Sequence, residues 1–428
     1  MLQRLRLRNF KTWADTDNIA LAPVNLFLGS NSTGKSSLLQ ALLLLKQTAA
    51  SPDRTVQLNL GGAESGDFIN LGSFDDVLNA NAEDRSFSIE VDFCHRQRGS
   101  ATPRVFKFTA EYRSNSKGVV VIDALTLGEN GREFRVIRRG KGAYSIFGPN
   151  SSSQPLGKSR DFEPERSIAF SPEAIQLLGT DGRTVQDISL AILRELEQIA
   201  YLGPLRPKPQ RDYTWNQATP GTIGETGANA IPALLASAQT RNGNELVRNV
   251  SSWLKRMGIA DSLQVQRLGR STRYAVMVER DGVCANLRDV GIGVSQVLPA
   301  LTLAYFAPRG ATVILEEPEI HLHPLAQSVL AELFVEVSKE REIQFLVETH
   351  SEHLFRRLQT LMAREQLSNE ACRPYFVERD GAVARLRTLK VDKFGKVGNW
   401  PEKFFGDAVG EAREQAKAVA QRIRREAR

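Results

Sequence analysis

The chain has 428 residues, 41% of them hydrophobic and 25% charged, an ordinary globular make-up long enough for two or three domains or one large α/β domain with insertions. No run of about 18 uncharged apolar residues occurs, so no membrane-spanning helix and no membrane partner are expected. The net charge of +7 favours polyanions such as DNA without requiring one, and three scattered cysteines, Cys94, Cys284 and Cys372, make no metal pair and suit a reducing cytoplasm.

Residues 2–7 alternate basic and apolar side chains, the pattern of a strand and not the continuous apolar core of a signal peptide. Val24 to Leu28 predicts a short buried strand, and the leucine-rich run 37–45 predicts a helix. Residues 50–85, rich in Gly, Asn and Asp, read as loop with one short helix. From about 86 to 147 alternation punctuated by turns predicts half-buried antiparallel strands, for example at 88–93 and 105–112. The Ser-, Pro- and charge-rich stretch 148–165 reads as an exposed loop. Helical spacing returns over 172–201 and 228–257, around a segment, Tyr201 to Arg211, too proline-rich for a helix. Two short strands are expected near 262–268 and 273–279. The last third alternates: a helix from 294, a strand at 312–316, a helix at 325–338, a strand at 343–348, a helix at 352–365 and a strand at 374–378. Gly410 to Arg428 predicts a basic helix with Ala412, Ala416, Val419, Ala420 and Ile423 on one face, either docked on the surface or contacting nucleic acid or a partner. No repeat of 20–50 residues and no sustained heptad pattern is present.

Between the first buried strand and its helix stands Gly29-Ser30-Asn31-Ser32-Thr33-Gly34-Lys35-Ser36, the G-x-x-x-x-G-K-S spacing of a phosphate-binding loop in the strand–turn–helix setting the motif needs. Its glycines let backbone N–H groups curl around a β-phosphate, and the helix N-terminus adds partial positive charge. Lys35 can reach the β- and γ-phosphates, and the Ser36 hydroxyl can ligate Mg²⁺. Gly29, Ser32, Thr33, Gly34, Lys35 and Ser36 are therefore the candidate nucleotide ligands.

Three more motifs follow. Thr312 to Glu319 is an apolar strand that ends in acids; carboxylates delivered there can hold Mg²⁺ and orient an attacking water, although acids at strand ends are often only solvated. Asp289 to Gln296 precedes an apolar helix, so that Gly293 and Ser295 make a second anion-binding N-terminus or simply a cap. Phe345 to Ser351 is a third apolar strand, and its His350 can sense a γ-phosphate, help position water or cap a helix. Of the five histidines, His321, His323, His350 and His353 fall beside these motifs; no Cys or carboxylate spacing turns His321, His323 and His353 into a metal site.

Taken in this order, the motifs resemble the ABC-type ATPase head of SMC proteins, RecF-like repair ATPases and the ATPase of overcoming-lysogenization-defect nucleases, over the phosphate loop and residues 285–360. The resemblance implies an α/β fold, an ABC-type P-loop ATPase head with an antiparallel β subdomain and a helical insert. It implies an N-terminal lobe at 1–165, a mainly helical insert at 166–284 and a C-terminal lobe at 285–428. In such heads ATP is sandwiched between the phosphate loop of one subunit and the signature of another. Carried over, Asn31 and Ser37 join the loop ligands, Gly293 and Ser295 act in trans, and Glu316 takes the magnesium position beside Ser36. Glu317 polarises the water, and His350 is the switch histidine. Two departures stand out: Glu316 replaces the usual Asp, and the signature reads Gly-Ile-Gly-Val-Ser-Gln. The Q-loop glutamine has no clear position, Asn70 to Asp76 being the candidate region.

A narrower resemblance, carried by Glu316 to Pro324, Glu348 to His353, Tyr201 to Arg206 and Asn399 to Phe405, points to bacterial stand-alone SMC-like ATPases, often found in anti-phage systems such as Septu beside a separate nuclease. Phe376 to Asp380 is faintly similar to the first acidic strand of a Toprim domain, but the 48 residues after Asp380 are too few for one, so no nuclease domain is expected. The resemblance implies a cytoplasmic Mg²⁺-ATPase with ATP and Mg²⁺ as cofactors. Its partners would be a second copy through the ATP sandwich and a separate effector, with DNA as a further candidate. The alternatives are a DNA-repair or DNA-clamp ATPase and an ATP-binding scaffold with very slow hydrolysis.

Overall fold

A computed structural model describes residues 1–62, 67–95, 103–140, 142–149, 154–239, 244–400, 414–415 and 417–419. The N-terminal part runs β1 (Leu2–Phe10), β2 (Trp13–Asp15), β3 (Ile19–Ala20), β4 (Val24–Gly29), α1 (Lys35–Ala50) and α2 (Phe74–Val77). There follow β5 (Ser86–His95), β6 (Arg104–Ser114), β7 (Val120–Glu129), β8 (Arg132–Gly140), β9 (Ala143–Phe147) and β10 (Leu156–Arg160). The middle holds α3 (Pro172–Leu177), α4 (Thr180–Glu197), β11 (Ile199–Leu202), β12 (Tyr213–Thr214), α5 (Ala230–Gln239) and α6 (Glu245–Arg256), then β13 (Ser262–Arg267), β14 (Arg273–Arg280) and β15 (Val283–Asn286). The last part runs α7 (Ile292–Phe306), β16 (Thr312–Glu316), α8 (Pro324–Arg341), β17 (Gln344–Glu348), α9 (Glu352–Ala363), β18 (Cys372–Asp380) and β19 (Val383–Thr388).

The core is a six-stranded sheet in the order β11-β16-β17-β4-β18-β19. Its first five strands are parallel, and β19 turns back antiparallel on β18. Strands buried on both faces read as unbroken apolar runs, which is why β4, β16 and β17 stand out in the sequence. Successive side chains point to opposite faces. Phe27, Ile314 and Leu346 face one core together with α1, α4 and the antiparallel strands. Leu26, Leu28, Val313, Leu315, Phe345 and Val347 face the other, built from α5 to α9. The second sheet is antiparallel, in the order β10-β9-β8-β7-β6-β5-β1-β2 with β3 on β1. The arginines of β1 are paired: Arg4 with Asp92 at 2.7 Å and Arg6 with Asp15 at 2.6 Å. A third, small sheet joins β12, β14, β13 and β15.

Several expectations change. The helix expected over 172–201 breaks at Gly179, whose φ of 58° suits glycine, and ends at Glu197; Ile199–Leu202 is instead the edge strand β11, parallel to β16. Ile188, Ile192, Leu196 and Ile199 continue a helical spacing, so the pattern runs on through the turn, and pairing to the sheet overrides it. The helix expected over 228–257 is two, α5 and α6. Inside the expected loop 148–165, Leu156–Arg160 adds to the sheet edge beside β9; four of its five residues are exposed, so it carries no apolar alternation. Residues 166–284 do not stand apart as a mainly helical insert. Their α4 packs with α1 on the antiparallel side, β11 enters the core sheet, and β12 to β15 form a sheet of their own. The predicted helix at 410–428 and the stretch 401–405 lie outside the described residues, apart from 414–415 and 417–419. Among the described residues no helix is long and apolar enough to cross a membrane.

Candidate functional site

The loops that follow β4, β16 and β17 emerge at the same, C-terminal edge of the parallel sheet, where α/β folds hold their ligands. After β4 the chain turns through Gly29 (φ 151°), Ser32 (φ 59°) and Gly34 (φ 110°) into α1. Both glycines are required. A Cβ on Gly29 would lie 2.4 Å from the Val377 carbonyl oxygen, and one on Gly34 2.5 Å from Thr12 Oγ1. Asn31 and Ser32 are exposed at the tip, whereas Thr33 donates its hydroxyl to the Ser30 carbonyl at 2.9 Å. Ser37 donates to the Gly34 carbonyl at 2.7 Å and accepts from Trp13 Nε1 at 3.1 Å, so its hydroxyl is engaged within the fold.

Lys35 opens α1 and is only 3% exposed. Its Nζ donates to the carbonyls of Gly29 (3.1 Å) and Ser30 (2.8 Å) and lies 3.6 Å from Glu348 Oε1. Burial lowers its pKa, and the Glu348 carboxylate opposes that shift. The Ser36 hydroxyl donates to the same Glu348 oxygen at 3.1 Å.

Parallel pairing of β16 and β17 sets Glu316 directly beside Glu348. Glu316 is 8% exposed; burial pushes its carboxyl up to about 7, the neighbouring Glu348 charge adds to that, and Tyr201 donates its hydroxyl to it at 3.2 Å. Glu317, half-buried, sits just past the strand in the left-handed region at φ 45°. Its N–H donates to the Glu348 carbonyl at 2.9 Å, and its Oε1 lies 3.6 Å from His350 Nε2. Glu319 is buried and accepts from Thr349 Oγ1 (2.6 Å) and the His350 N–H (2.8 Å), which clamps the turn carrying His350. Burial and then the Lys35 charge outweigh the Glu317 charge and lower the His350 pKa, which favours the neutral imidazole. Its Nε2 and Glu348 Oε2 are buried without a hydrogen-bond partner. Orphaned buried acceptors beside a glycine cradle and a buried lysine fit a bound nucleotide and its divalent cation.

The chain therefore brings Lys35, Ser36, Glu316, Glu317 and His350 to one sheet edge. Gly293 and Ser295 lie in the first turn of α7, where Ser295 donates to the Ile292 carbonyl at 2.9 Å. A cavity of about 390 Å³ opens beside that turn, between Arg280, Gly293, His321 and His323. His323 caps α8, its Nδ1 accepting from the Ala326 N–H at 3.3 Å. The metal-capable cluster among the described residues is instead Glu317, Glu348 and His350, with ligand atoms within 4.8 Å of one another.

Glu348, Tyr201, Glu319 and Arg206 fall inside motifs of the sequence, but none of them had a role of its own there. Alternation was a usable signal for Glu348: it shares a face with Leu346, and that face looks toward α1. Arg206 lies in a helix-breaking segment that contributes to the narrower resemblance, with nothing local to give it a role. Its guanidinium donates to the carbonyls of Gln296 (2.8 Å), Glu317 (3.3 Å) and Glu316 (3.4 Å), joining the α7 turn to the acidic strand end. Arg206→Met removes these three charge-assisted hydrogen bonds, so unfolding in urea should show a loss of about 2 kcal/mol or more; an unchanged midpoint would refute the tie.

Family models match three segments. One described as "AAA ATPase domain" covers residues 1–177, one described as "AAA domain, putative AbiEii toxin, Type IV TA system" covers 243–356, and one described as "Protein of unknown function (DUF3696)" covers 367–415. Among curated proteins the chain is similar to the OLD nuclease of Thermus scotoductus, 21% identical over 362 residues, which are 82% of this chain and 59% of that protein; the chain thus spans less than two thirds of that relative's length. Among solved structures it is similar to the SMC head domain from Thermotoga maritima, at 13% identity and TM-score 0.43, over 91% of this chain and 99% of that one. It is also similar to an SMC head bound to the C-winged helix domain of ScpA, at 15% identity and TM-score 0.47, over 92% and 98%. Both AAA-matched segments contribute strands to the one core sheet, the first bringing the phosphate loop and the second the acidic strand, so over these two segments the chain is similar to AAA ATPase domains.

Proposed function

We propose that this ATPase is Mg²⁺-dependent, pairs with a second copy of itself when ATP binds, and through that pairing controls a separate effector, a nuclease, in cytoplasmic anti-phage defence. One observation supports the pairing: Lys35, Ser36, Glu317 and His350 meet at one sheet edge, while the Ser295 hydroxyl of the α7 turn is engaged by the Ile292 carbonyl of its own helix. In the ABC-type heads that the chain resembles, such a cradle and base are completed by the signature of a second copy. In this reading Gly29 to Ser37 wrap the phosphates and Lys35 leaves its two loop carbonyls for phosphate oxygens. Ser36 and an acid, Glu316 in the family pattern, hold Mg²⁺. Mg²⁺, when bound, neutralises charge on the β- and γ-phosphates. Glu317 accepts a proton from the attacking water, and neutral His350 can donate or accept beside it. Similarity to an OLD nuclease and the resemblance to stand-alone defence ATPases support the effector.

Light scattering in solution tests the pairing. ATP with Mg²⁺ should double the mass, and Ser295→Arg should prevent it; a mass that ignores ATP refutes the sandwich. The net charge of +7 favours a second reading, an ATPase acting directly on DNA. Duplex binding by the isolated protein that falls steeply with salt would select it.

A further inference from the structure

We propose that Glu348, on the strand of the switch histidine, is the carboxylate that holds the nucleotide's divalent cation with Ser36, in place of Glu316. The assignment rests on the nucleotide-binding reading above. It starts from strand order: β17 lies between β16 and β4, so an acid ending β17 is one inter-strand spacing, about 4.8 Å, nearer the loop that follows β4. The register makes Glu316 and Glu348 equivalent in height, so only this lateral step separates their positions. Alternation turns Glu348, like Leu346, toward the face that carries α1.

The contacts agree. Glu348 Oε1 accepts from the Ser36 hydroxyl at 3.1 Å and lies 3.6 Å from Lys35 Nζ. Its other oxygen, Oε2, is buried and unpartnered, in a residue only 5% exposed. Glu316 is engaged elsewhere, by the Tyr201 hydroxyl at 3.2 Å. Mg²⁺ is typically held by one or two carboxylates, with phosphate oxygens and waters filling the octahedron. Ser36 and Glu348 supply that pair of protein donors, and Glu317 and His350 bring their ligand atoms within 4.8 Å of the cluster. The consequence is mechanical as well as chemical. Cation ligand and switch histidine are two residues apart on one strand end, held by Glu319 through Thr349 and the His350 N–H. Loss of the cation would be felt directly at His350.

The test measures Mn²⁺ affinity by electron paramagnetic resonance on the full chain saturated with a non-hydrolysable ATP analogue. Glu348→Gln should weaken Mn²⁺ by about 10-fold or more, the scale seen for perturbed metal shells. Glu316→Gln should change it less than about 3-fold, and both variants should still bind the analogue in EDTA. A larger loss in Glu316→Gln, or equal losses, overturns the assignment. Should Glu348→Gln not fold, Glu348→Asp carries the comparison, since it keeps the charge but withdraws the oxygens by one methylene; unchanged Mn²⁺ affinity there overturns it too. Failure of the unaltered protein to bind the analogue would instead overturn the nucleotide reading itself.

Discussion

Replacing Glu317 by Gln should leave ATP bound and cut steady-state turnover by about 100-fold or more, the lower end of what a positioned general base contributes. Gln keeps the shape and the backbone but cannot take a proton. The backbone matters because Glu317 sits at φ 45°, held by its N–H on the Glu348 carbonyl and by Arg206 on its own carbonyl. Those restraints do not depend on the carboxylate, so the variant keeps the site's frame and loses only its chemistry. Phosphate release measures the first quantity and filter retention of labelled ATP the second. Turnover at the wild-type rate would remove Glu317 from the mechanism. Near-zero turnover in the unaltered protein, with ATP firmly bound, would select the scaffold reading.

Lys35→Ala should weaken ATP binding by about 100-fold or more. Two charge-assisted hydrogen bonds to phosphate oxygens at about 1.5 kcal/mol each give 3 kcal/mol, and 1.4 kcal/mol is tenfold in affinity. The effect is on binding and not on the fold, because the two carbonyls Lys35 now satisfies, Gly29 and Ser30, lie in a loop that water can reach once the side chain is gone. Titration calorimetry gives the affinity, and a thermal melt checks that the protein remains folded. Retained ATP affinity would contradict the role given to the loop.

The two substitutions separate two kinds of legibility. Lys35 and the glycines could be read from spacing because the backbone itself makes the cradle, and a local turn needs only local sequence. The buried strands 24–28, 312–316 and 343–348 were readable for the same reason: a strand covered on both faces is apolar at every position. Glu317 and His350 were readable as the polar ends of those runs. Glu348 also ends such a run, and its face was readable from alternation, but its role was not. Its importance comes from Ser36 and Lys35, more than three hundred residues away in the chain. Tyr201 and Arg206 were hidden differently. One lies in a strand whose residues continue a helical spacing, and the other in a proline-rich segment; neither has a definable role until β11 docks beside β16.

By itself, then, the sequence determined the phosphate loop, the three apolar strands that feed the site, the antiparallel run from 86 to 147 and the acids and histidine at the strand ends. These depend on period, spacing and turn chemistry within a few residues. Tertiary structure alone decided the lateral order β11-β16-β17-β4-β18-β19. That order places Glu348, and not Glu316, against Ser36, and it lets Arg206 reach both the α7 turn and the acidic strand. Which carboxylate stands beside which hydroxyl is a property of strand neighbours, and neighbours are chosen by burial of both sheet faces across the whole chain, on which local spacing is silent.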